Sequence, residues 1–308
     1  MTGPEPISGS ELVLAGTIRS QGAIAQVLSS MRWAPGAQLG LLLVVLTIVL
    51  AALGPLLTPD PNQQNLLLRL RPPAWLANGT WAHPLGTDEL GRDLLARAAA
   101  GARVSMFVAI AAVVISSVFG VSIGLMAGYR PGLFSKLVDV VVDIQLAFPF
   151  VLLVILVVGV LGPGLHNLAL VLGATGWIQY ARVVRAQTAA LRNVAYVRAS
   201  EVLGLSAARI ALVHILPNCM SAIVVIASFA VAQMILWEAA LSFLGLGVQP
   251  PQVSWGMMLS GGRDYISSAP HLVVVPGLLI AVLVLGINLL GEWLRDALDP
   301  RLKLTSVA

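Results

Sequence analysis

Long stretches of apolar residues alternate along this chain with short segments that carry the charged residues. A run of about 18 or more apolar residues is long enough to cross a lipid bilayer as a helix. Because backbone N–H and C=O groups inside lipid must bond to one another, each such run is predicted to be helical. The pattern therefore predicts an all-α, polytopic membrane protein with six transmembrane helices. Their predicted bounds are about 39–57, 104–128, 137–161, 167–184, 220–246 and 270–290.

One apolar stretch is too long for a single helix, since no charged residue occurs between Ile144 and Ala181. The sequence Gly162-Pro163-Gly164 divides it, because proline and glycine end helices in turns. The composition agrees with a membrane protein: only 10% of the 308 residues are charged, against about 25% in soluble domains. Almost no chain is left over from which a soluble domain could be built.

The distribution of basic residues predicts the orientation. With six spans both termini lie on one side, and that side then holds twelve of the eighteen lysines and arginines. Since cytoplasmic loops carry the excess of Lys and Arg, both termini are predicted to be cytoplasmic. The predicted parts are a cytoplasmic tail (1–36), a first transmembrane helix with an extracytoplasmic loop (37–103), a core domain of five transmembrane helices (104–295) and a cytoplasmic C-terminal tail (296–308).

A charged segment precedes the second span. His83, Asp88, Glu89 and Asp93 occur close together, but their spacing fits no familiar zinc or calcium pattern, so no metal site is predicted. Residues 89–103 are instead predicted to form a short extracytoplasmic helix along the membrane interface. The residue at position 87 or 88 is its predicted N-cap, with acidic side chains at the positive end of the helix.

The densest group of charges lies around RASEVLGLSAARIALVHILPN, residues 198–218, between the fourth and fifth spans. Its local sequence predicts two short helices. Gly204 suits the left-handed residue that ends the first helix, and Ser206 is a suitable N-cap for the second. Pro217 either stops the second helix or begins the fifth span as a first-turn proline.

The first of these short helices carries a stripe of small side chains. Ala195, Ala199 and Val202 fall on one face at helical spacing, with Arg198 and Glu201 beside them. Such a stripe is suited to dock into a groove on another protein. Composition leaves two other interpretations open: the arginines set the topology of a positive-inside loop, or they contact phospholipid head groups.

The spacing within this loop resembles the signature of ABC-importer permeases. In that family a Glu-Ala-Ala triplet precedes a glycine, and a Leu-Pro pair follows thirteen residues after the glycine. Ala199, Gly204 and Pro217 stand at the matching positions here. Arg198 replaces the glutamate of the triplet and Ser200 replaces its second alanine.

Four other segments are similar to the branch of this family that imports dipeptides, oligopeptides and nickel, and they match its C-type permeases in order and spacing. The resemblance covers about residues 39–303. The segments are HPLGTDELGRDLLARAAAGARVS (83–105), WIQYARVVRAQ (177–187), EAALSFLGLGVQPPQVSWGMML (238–259) and NLLGEWLRDALDPRLK (288–303).

The resemblance implies the type I importer permease fold and a transport subunit, rather than an enzyme, for peptides in a bacterial cytoplasmic membrane. It implies as partners a second homologous permease, two ATP-binding subunits, an extracytoplasmic binding protein, a peptide substrate and membrane lipid, and no nucleic acid. No Gly-x-x-x-x-Gly-Lys-Ser/Thr motif occurs in the sequence, so ATP and Mg²⁺ are expected on the partner subunits and no cofactor on this chain. Within a coupling loop at 185–217, the implied contacts with an ATP-binding subunit are Arg198, Ala199, Ser200, Glu201, Gly204, Leu205 and Ser206.

Polar residues inside the spans are candidates for the translocation pathway, because ionisable groups are costly within a membrane. Glu238 and Gln233 lie in the fifth span and are candidate pathway-lining residues; for Glu238 the alternative is a pairing that fixes helix packing. Asp139 and Asp143 lie one turn apart near the start of the third span, where a solvated helix end is favoured. Together with Glu238 they would act as ion relays in a self-contained secondary transporter, the competing hypothesis. Nickel or another small solute is the competing substrate.

Overall fold

The computed structural model describes residues 30–298, and this part of the chain is built from α-helices. Its only strand-like feature is an isolated antiparallel bridge between Thr87 and Asp93. The predicted tails, 1–36 and 296–308, lie largely outside the described residues. The helices are α1 (Pro35–Leu57), α2 (Leu94–Tyr129), α3 (Leu133–Ala147), α4 (Phe150–Leu161), α5 (Leu165–Thr175), α6 (Trp177–Leu191), α7 (Ala195–Val202), α8 (Ala207–Phe243), α9 (Trp255–Gly262) and α10 (His271–Leu298).

Four of the described helices, α1, α2, α8 and α10, are long and apolar enough to cross a membrane. The pair α3 and α4 is sufficient for a fifth crossing, although the two helices are bent by 92° relative to each other. The fourth predicted span is also divided, into α5 and α6, which are separated by Gly176. The prediction of one helix for each of the third and fourth spans is therefore wrong.

The bend between α3 and α4 lies at Phe148 and Pro149. Phe148 has extended backbone, with φ −95° and ψ 133°, which is the conformation favoured before a proline. Pro149 directly precedes the first residue of α4, where its missing N–H breaks no helical hydrogen bond. At its other end α4 stops at Gly162, with φ +85°, which confirms the predicted break.

Three glycines on one face of α2, Gly120, Gly124 and Gly128, allow α6 to pack very close to it. A Cβ atom at Gly124 would lie 2.8 Å from the carbonyl oxygen of Ala181, and the other two glycines face backbone carbonyl oxygens of α6 in the same way. The partners advance along both helices in the same direction, so α2 and α6 run parallel. Small residues at every fourth position are typical of close helix packing in membranes.

The helix predicted along the membrane interface is not a separate element. α2 begins at Leu94 and continues without a break for 36 residues. Asp93 is its N-cap, since its Oδ1 accepts a hydrogen bond from the Ala96 N–H at 2.7 Å. The prediction of a separate helix over 89–103, capped at 87 or 88, is therefore wrong.

Two arginines in the first turns of α2 hold it to its surroundings instead of lying along an interface. Arg97 is buried, with 4% of its surface exposed. Arg103 donates hydrogen bonds to the carbonyl oxygens of Ala51 and Ala52 near the end of α1. These carbonyls belong to the last turns of a helix, where a cation is favoured.

α8 joins the second short helix of the central loop to the fifth span. Ser206 accepts a hydrogen bond from the Arg209 N–H at 3.4 Å, which confirms it as the N-cap. A π-helical turn, Ile210–Ile215, precedes Pro217, and its wider turn accommodates a proline that cannot donate to the preceding carbonyl. Pro217 lies in the first turn of the regular α-helical part, so it begins the fifth span and does not stop the helix before it.

α1 and α10 pack against each other at one side of the bundle. A Cβ atom at Gly40 would lie 2.8 Å from the carbonyl oxygen of Gly286, so the two backbones are nearly in contact. α10 extends to Leu298, beyond the bounds predicted for the sixth span. The bundle thus brings the first and last described helices together.

Candidate functional site

The loop between α6 and α8 folds around the short helix α7. Gly204 follows α7 with a φ of +79°, and its N–H donates to the carbonyl oxygen of Glu201 at 3.0 Å. The N–H of Leu205 donates to the carbonyl oxygen of Ser200 at 3.1 Å. These bonds satisfy carbonyl groups that the helix end would otherwise leave unpaired. The prediction that a left-handed Gly204 ends this helix is confirmed.

α7 is anchored on one side and exposed on the other. Val197 is fully buried, whereas Ala195, Ala199 and Val202 are exposed, with 88% of the Val202 surface accessible. Leu203 adds a further apolar side chain that is 78% exposed. Contiguous exposed apolar surface marks an interaction site more often than scattered single residues do. The predicted stripe of Ala195, Ala199 and Val202, called the α7 stripe below, is thus an exposed apolar surface.

The charged residues beside the α7 stripe are bound within the chain and do not pair with each other. Glu201 accepts a hydrogen bond from the hydroxyl of Tyr129, at the end of α2, at 2.6 Å. Arg198 donates to the side-chain oxygen of Asn193 at 2.9 Å. The first bond ties α7 to α2 across 72 positions of sequence, so no local pattern predicts it.

If α7 couples the chain to an ATP-binding subunit, as the resemblance to ABC-importer permeases implies, replacing Tyr129 by Phe is expected to lower the stimulation of ATP hydrolysis by transported substrate about two- to fivefold, because one hydrogen bond to a charged group is lost at the link between α7 and α2. The measurement is the ratio of substrate-stimulated to basal ATPase activity in the assembled transporter. Glu201→Gln serves as the matched change on the other side of the bond. If the double variant loses as much as the two single effects combined, the bond does not couple the two helices.

A cavity of about 650 Å³ lies inside the bend of α3 and α4 and is called the bend cavity below. Gln233, a predicted pathway residue, lines it from α8 and is exposed. Gln145 lines it from α3, where its amide donates to the carbonyl oxygen of Thr175 at 2.7 Å and its oxygen accepts from the indole N–H of Trp177 at 3.0 Å. The bend in the third span therefore opens a space lined by carboxamide groups.

Glu238 lies outside the bend cavity. It is fully buried, and its Oε1 accepts a hydrogen bond from the hydroxyl of Ser242 at 2.7 Å. Ser105 of α2 and Ser254 before α9 also lie within reach of the carboxyl group. A buried carboxyl surrounded by hydroxyl groups from three parts of the chain supports the packing alternative for Glu238.

Asp139 and Asp143, which would act with Glu238 in an ion relay, have different surroundings. Asp139 forms a two-pronged ion pair with Arg185 of α6, which lies 46 positions further along the chain, so no local sequence pattern predicts it. Asp143 is exposed and has no hydrogen-bond or ion-pair partner within residues 30–298. Both aspartates border a space that Glu238 does not reach, so the structure does not bring the three carboxylates together.

The charged segment before α2 forms an internal network. Asp88 pairs with Arg92 at 2.6 Å and with Arg97 at 3.2 Å, and His83 Nδ1 lies 2.8 Å from Asp93. Within the described range, no group of three or more His, Cys, Asp or Glu side chains is arranged to hold a metal ion. These residues stabilise the entry to α2.

The family model for the binding-protein-dependent transport system inner membrane component matches residues 120–304. The matched region contains α7, the loop around it and all the residues that line the bend cavity. α7 and the bend cavity therefore fall within the region that the family model matches, whereas the charged segment before α2 lies outside it.

Curated relatives align over most of their length. The chain is 45% identical over 269 residues to the di/tripeptide transport system permease protein DppC of Pseudomonas aeruginosa (strain UCBPP-PA14), which covers 87% of this chain and 89% of that protein. It is 44% identical over 269 residues to the dipeptide transport system permease protein DppC of Escherichia coli (strain K12), covering 87% and 90%. It is 40% identical over 268 residues to the oligopeptide transport system permease protein OppC of Bacillus subtilis (strain 168), covering 87% and 86%. The chain therefore belongs to the inner-membrane permeases of binding-protein-dependent ABC importers, which are transport subunits and not enzymes.

Proposed function

We propose that this chain is the permease subunit of an ATP-driven importer that carries di- or oligopeptides across the bacterial cytoplasmic membrane. The observation that carries the proposal is the α7 stripe, an exposed apolar surface at the place where the sequence resemblance implies a coupling loop. The relatives described above are named for di/tripeptide, dipeptide and oligopeptide transport, which supports peptides as the cargo.

The proposed topology has six crossings with both termini in the cytoplasm. The crossings are α1, α2, bent α3–α4, divided α5–α6, α8 and α10. α5–α6 is included because it runs along α2 for much of its length. The distribution of basic residues supports this orientation, which places the loop around α7 on the cytoplasmic side and the loop before α2 outside.

The proposed coupling surface is α7 together with the turn that follows it, and it would dock into a groove of an ATP-binding subunit. The apolar residues of α7 would enter the groove, while Gly204 and Ser206 shape the corner that presents them. ATP and Mg²⁺ bind to the partner subunits in this proposal. The proposed contact residues are Arg198, Ala199, Ser200, Glu201, Gly204, Leu205 and Ser206.

The proposed mechanism converts movement of α7 into movement of the bundle. Nucleotide-driven closure of the ATP-binding subunits displaces α7, and the Tyr129–Glu201 bond transmits that displacement to α2. Because α2 and α6 are in near-backbone contact along the glycines, they move as one unit. The bundle then alternates between inward- and outward-facing states, which requires contacts that differ between the two states.

A second permease and an extracytoplasmic binding protein complete the proposed transporter. α3 and α4, the two helices that form the bend, expose large apolar side chains, including Leu137, Val141, Ile144, Leu152 and Leu156. In a transport subunit such a face is covered by lipid or by a neighbouring helix bundle. We place the homologous permease on this face, where the translocation pathway would run between the two bundles.

Reconstitution tests the proposal. The chain, assembled with its partner permease and two ATP-binding subunits in liposomes, is expected to take up a labelled dipeptide only when ATP and the binding protein are both present. Uptake of the dipeptide by this chain alone under an ion gradient would instead establish the secondary transporter. ATP-dependent uptake of Ni²⁺ with no uptake of peptide would establish the competing substrate.

A further inference from the structure

The bend cavity contains one cationic side chain whose role the proposed coupling mechanism does not explain. We infer that Arg182 binds the C-terminal carboxylate of a peptide as it passes through the bend cavity, with carboxamide groups holding the peptide backbone. The inference rests on the proposed function, because it assigns a substrate contact to a peptide importer. Arg182 would then set the preference of the transporter for peptides with a free C-terminal carboxylate.

The lining of the bend cavity carries a single positive charge and no negative charge among the described residues. Arg182 is the only charged residue among the described residues that line the bend cavity. Its side chain is exposed and has no hydrogen-bond or ion-pair partner in the described part of the chain, whereas Arg185 pairs with Asp139 and Arg192 donates to the carbonyl oxygen of Tyr129. In the proposed topology Arg182 lies towards the cytoplasmic end of the divided fourth span, and its planar guanidinium presents five donors that suit a carboxylate.

The nearest acidic alternative does not neutralise Arg182. Asp143 borders the neighbouring space together with Arg182, but the two side chains do not form an ion pair within 4.0 Å. Asp139 of the same helix is already held by Arg185. The guanidinium is therefore left to bind an external carboxylate, for which its planar donor geometry is suited.

The polar groups of the cavity match a peptide backbone. Gln179 and Gln233 line the cavity with exposed side chains that have no hydrogen-bond partner within residues 30–298. A carboxamide both donates and accepts, which is the requirement for pairing with a peptide unit. Tyr180 lines the same cavity, and its buried hydroxyl has no partner in the described range, although buried hydroxyls are normally paired.

The remaining walls of the cavity are apolar, so they can contact peptide side chains of different kinds. Phe150 and Trp237 lie on the cavity with ring centroids 4.7 Å apart, and Met234 adds a flexible side chain. The volume of about 650 Å³ falls in the range of small-molecule sites. The cavity thus combines polar groups that can bind the constant parts of a peptide with apolar walls that can contact its variable side chains.

The test compares one dipeptide with its amide in the complete transporter. Alanyl-alanine and alanyl-alaninamide are presented, each with saturating binding protein, to liposomes that contain wild-type, Arg182→Gln or Arg182→Lys complexes. We expect Arg182→Gln to lower the initial uptake rate of the free acid about tenfold, the size of one charge-assisted hydrogen bond, and to leave the amide unchanged. Arg182→Lys, which keeps the charge but not the planar fork, is expected to restore part of the rate.

Each comparison is made within one peptide between wild type and variant, so the preference of the binding protein cancels. Equal loss for acid and amide, or no loss for either, overturns the inference, because a structural role would lower both rates together. Arg130→Gln is the matched control: Arg130 is exposed and lies outside the bend cavity, so it should leave both rates unchanged. If the wild-type complex shows no ATP-dependent uptake of either peptide, the proposed function itself is overturned. This outcome is read from the wild-type complex alone, so it is distinct from any result obtained with the Arg182 variants.

Discussion

The Ala199→Asp variant is expected to lose assembly with the ATP-binding subunits and, with it, ATP-dependent uptake. Ala199 lies at the centre of the α7 stripe and is exposed in this chain, so the added carboxylate does not disturb folding of the permease. Burial of an unpaired carboxylate in an interface costs about 3 kcal/mol or more, which corresponds to at least about a hundredfold in affinity. The measurement is the amount of ATP-binding subunit that co-purifies with the permease pair.

The control for this variant is Ala208→Asp, which places the same charge in the first turn of α8. Ala208 is also exposed but lies outside the α7 stripe, so its assembly should remain close to that of the wild type. Wild-type assembly of the Ala199→Asp complex would show that the α7 stripe is not the docking surface. If Ala208→Asp loses as much co-purifying ATP-binding subunit as Ala199→Asp, a negative charge anywhere in this loop weakens assembly, and the α7 stripe is not the cause.

The Gly124→Val variant is expected to lose much of the folded permease. The added side chain would meet the Ala181 carbonyl oxygen and the Cβ of Val184, at 2.8 and 2.9 Å from the new Cβ atom. Neither group can rotate away, so α2 and α6 must separate along their whole contact. Overpacking of this kind costs about 1–3 kcal/mol, occasionally more. Thermal unfolding of the detergent-purified transporter should therefore shift down by about 5 °C or more.

Gly159→Val is the matched control, because it makes the same change in another apolar helix. A Cβ atom at Gly159 in α4 would meet nothing within 4 Å. If both variants unfold at the same temperature, helix propensity accounts for the effect and the close contact of α2 with α6 does not. A stable Gly124→Val protein would contradict the role assigned to the glycines of α2.

Much of the fold was predictable because its signals are local. Apolar length located α1, α2, α8 and α10, and the chain positions of Gly162, Gly204 and Ser206 gave correct helix ends, since each depends on the backbone preferences of one or two residues. The bend at Phe148–Pro149 had a local signal too, because a residue before proline disfavours the helical conformation. The continuous apolarity on both sides of the bend nevertheless favours a single helix, and this is why the third span is predicted as one element.

The candidate site was less predictable, because its contacts join residues far apart in the chain. Hydrophobic helices in lipid are apolar on all sides, so their sequences give little information about which face meets which neighbour. The pairs Asp139–Arg185 and Tyr129–Glu201 depend on how each helix is rotated about its own axis, because the rotation decides which side chains face the neighbouring helix. So does the difference between Glu238, which is buried among hydroxyls, and Gln233, which faces the bend cavity.

The sequence by itself determined the class of protein, the family resemblance, most span positions and the corner at Gly204 and Ser206, since all of these follow from composition, spacing and single-residue backbone preferences. Only the tertiary structure decided that the third and fourth spans are each two helices, that α7 is tied to α2, and that Arg182 stands unpaired at a cavity lined by carboxamides. These depend on the angle and rotation at which helices pack, which are fixed by close contacts such as those of Gly120, Gly124 and Gly128. Such contacts belong to pairs of helices and cannot be read from either helix alone.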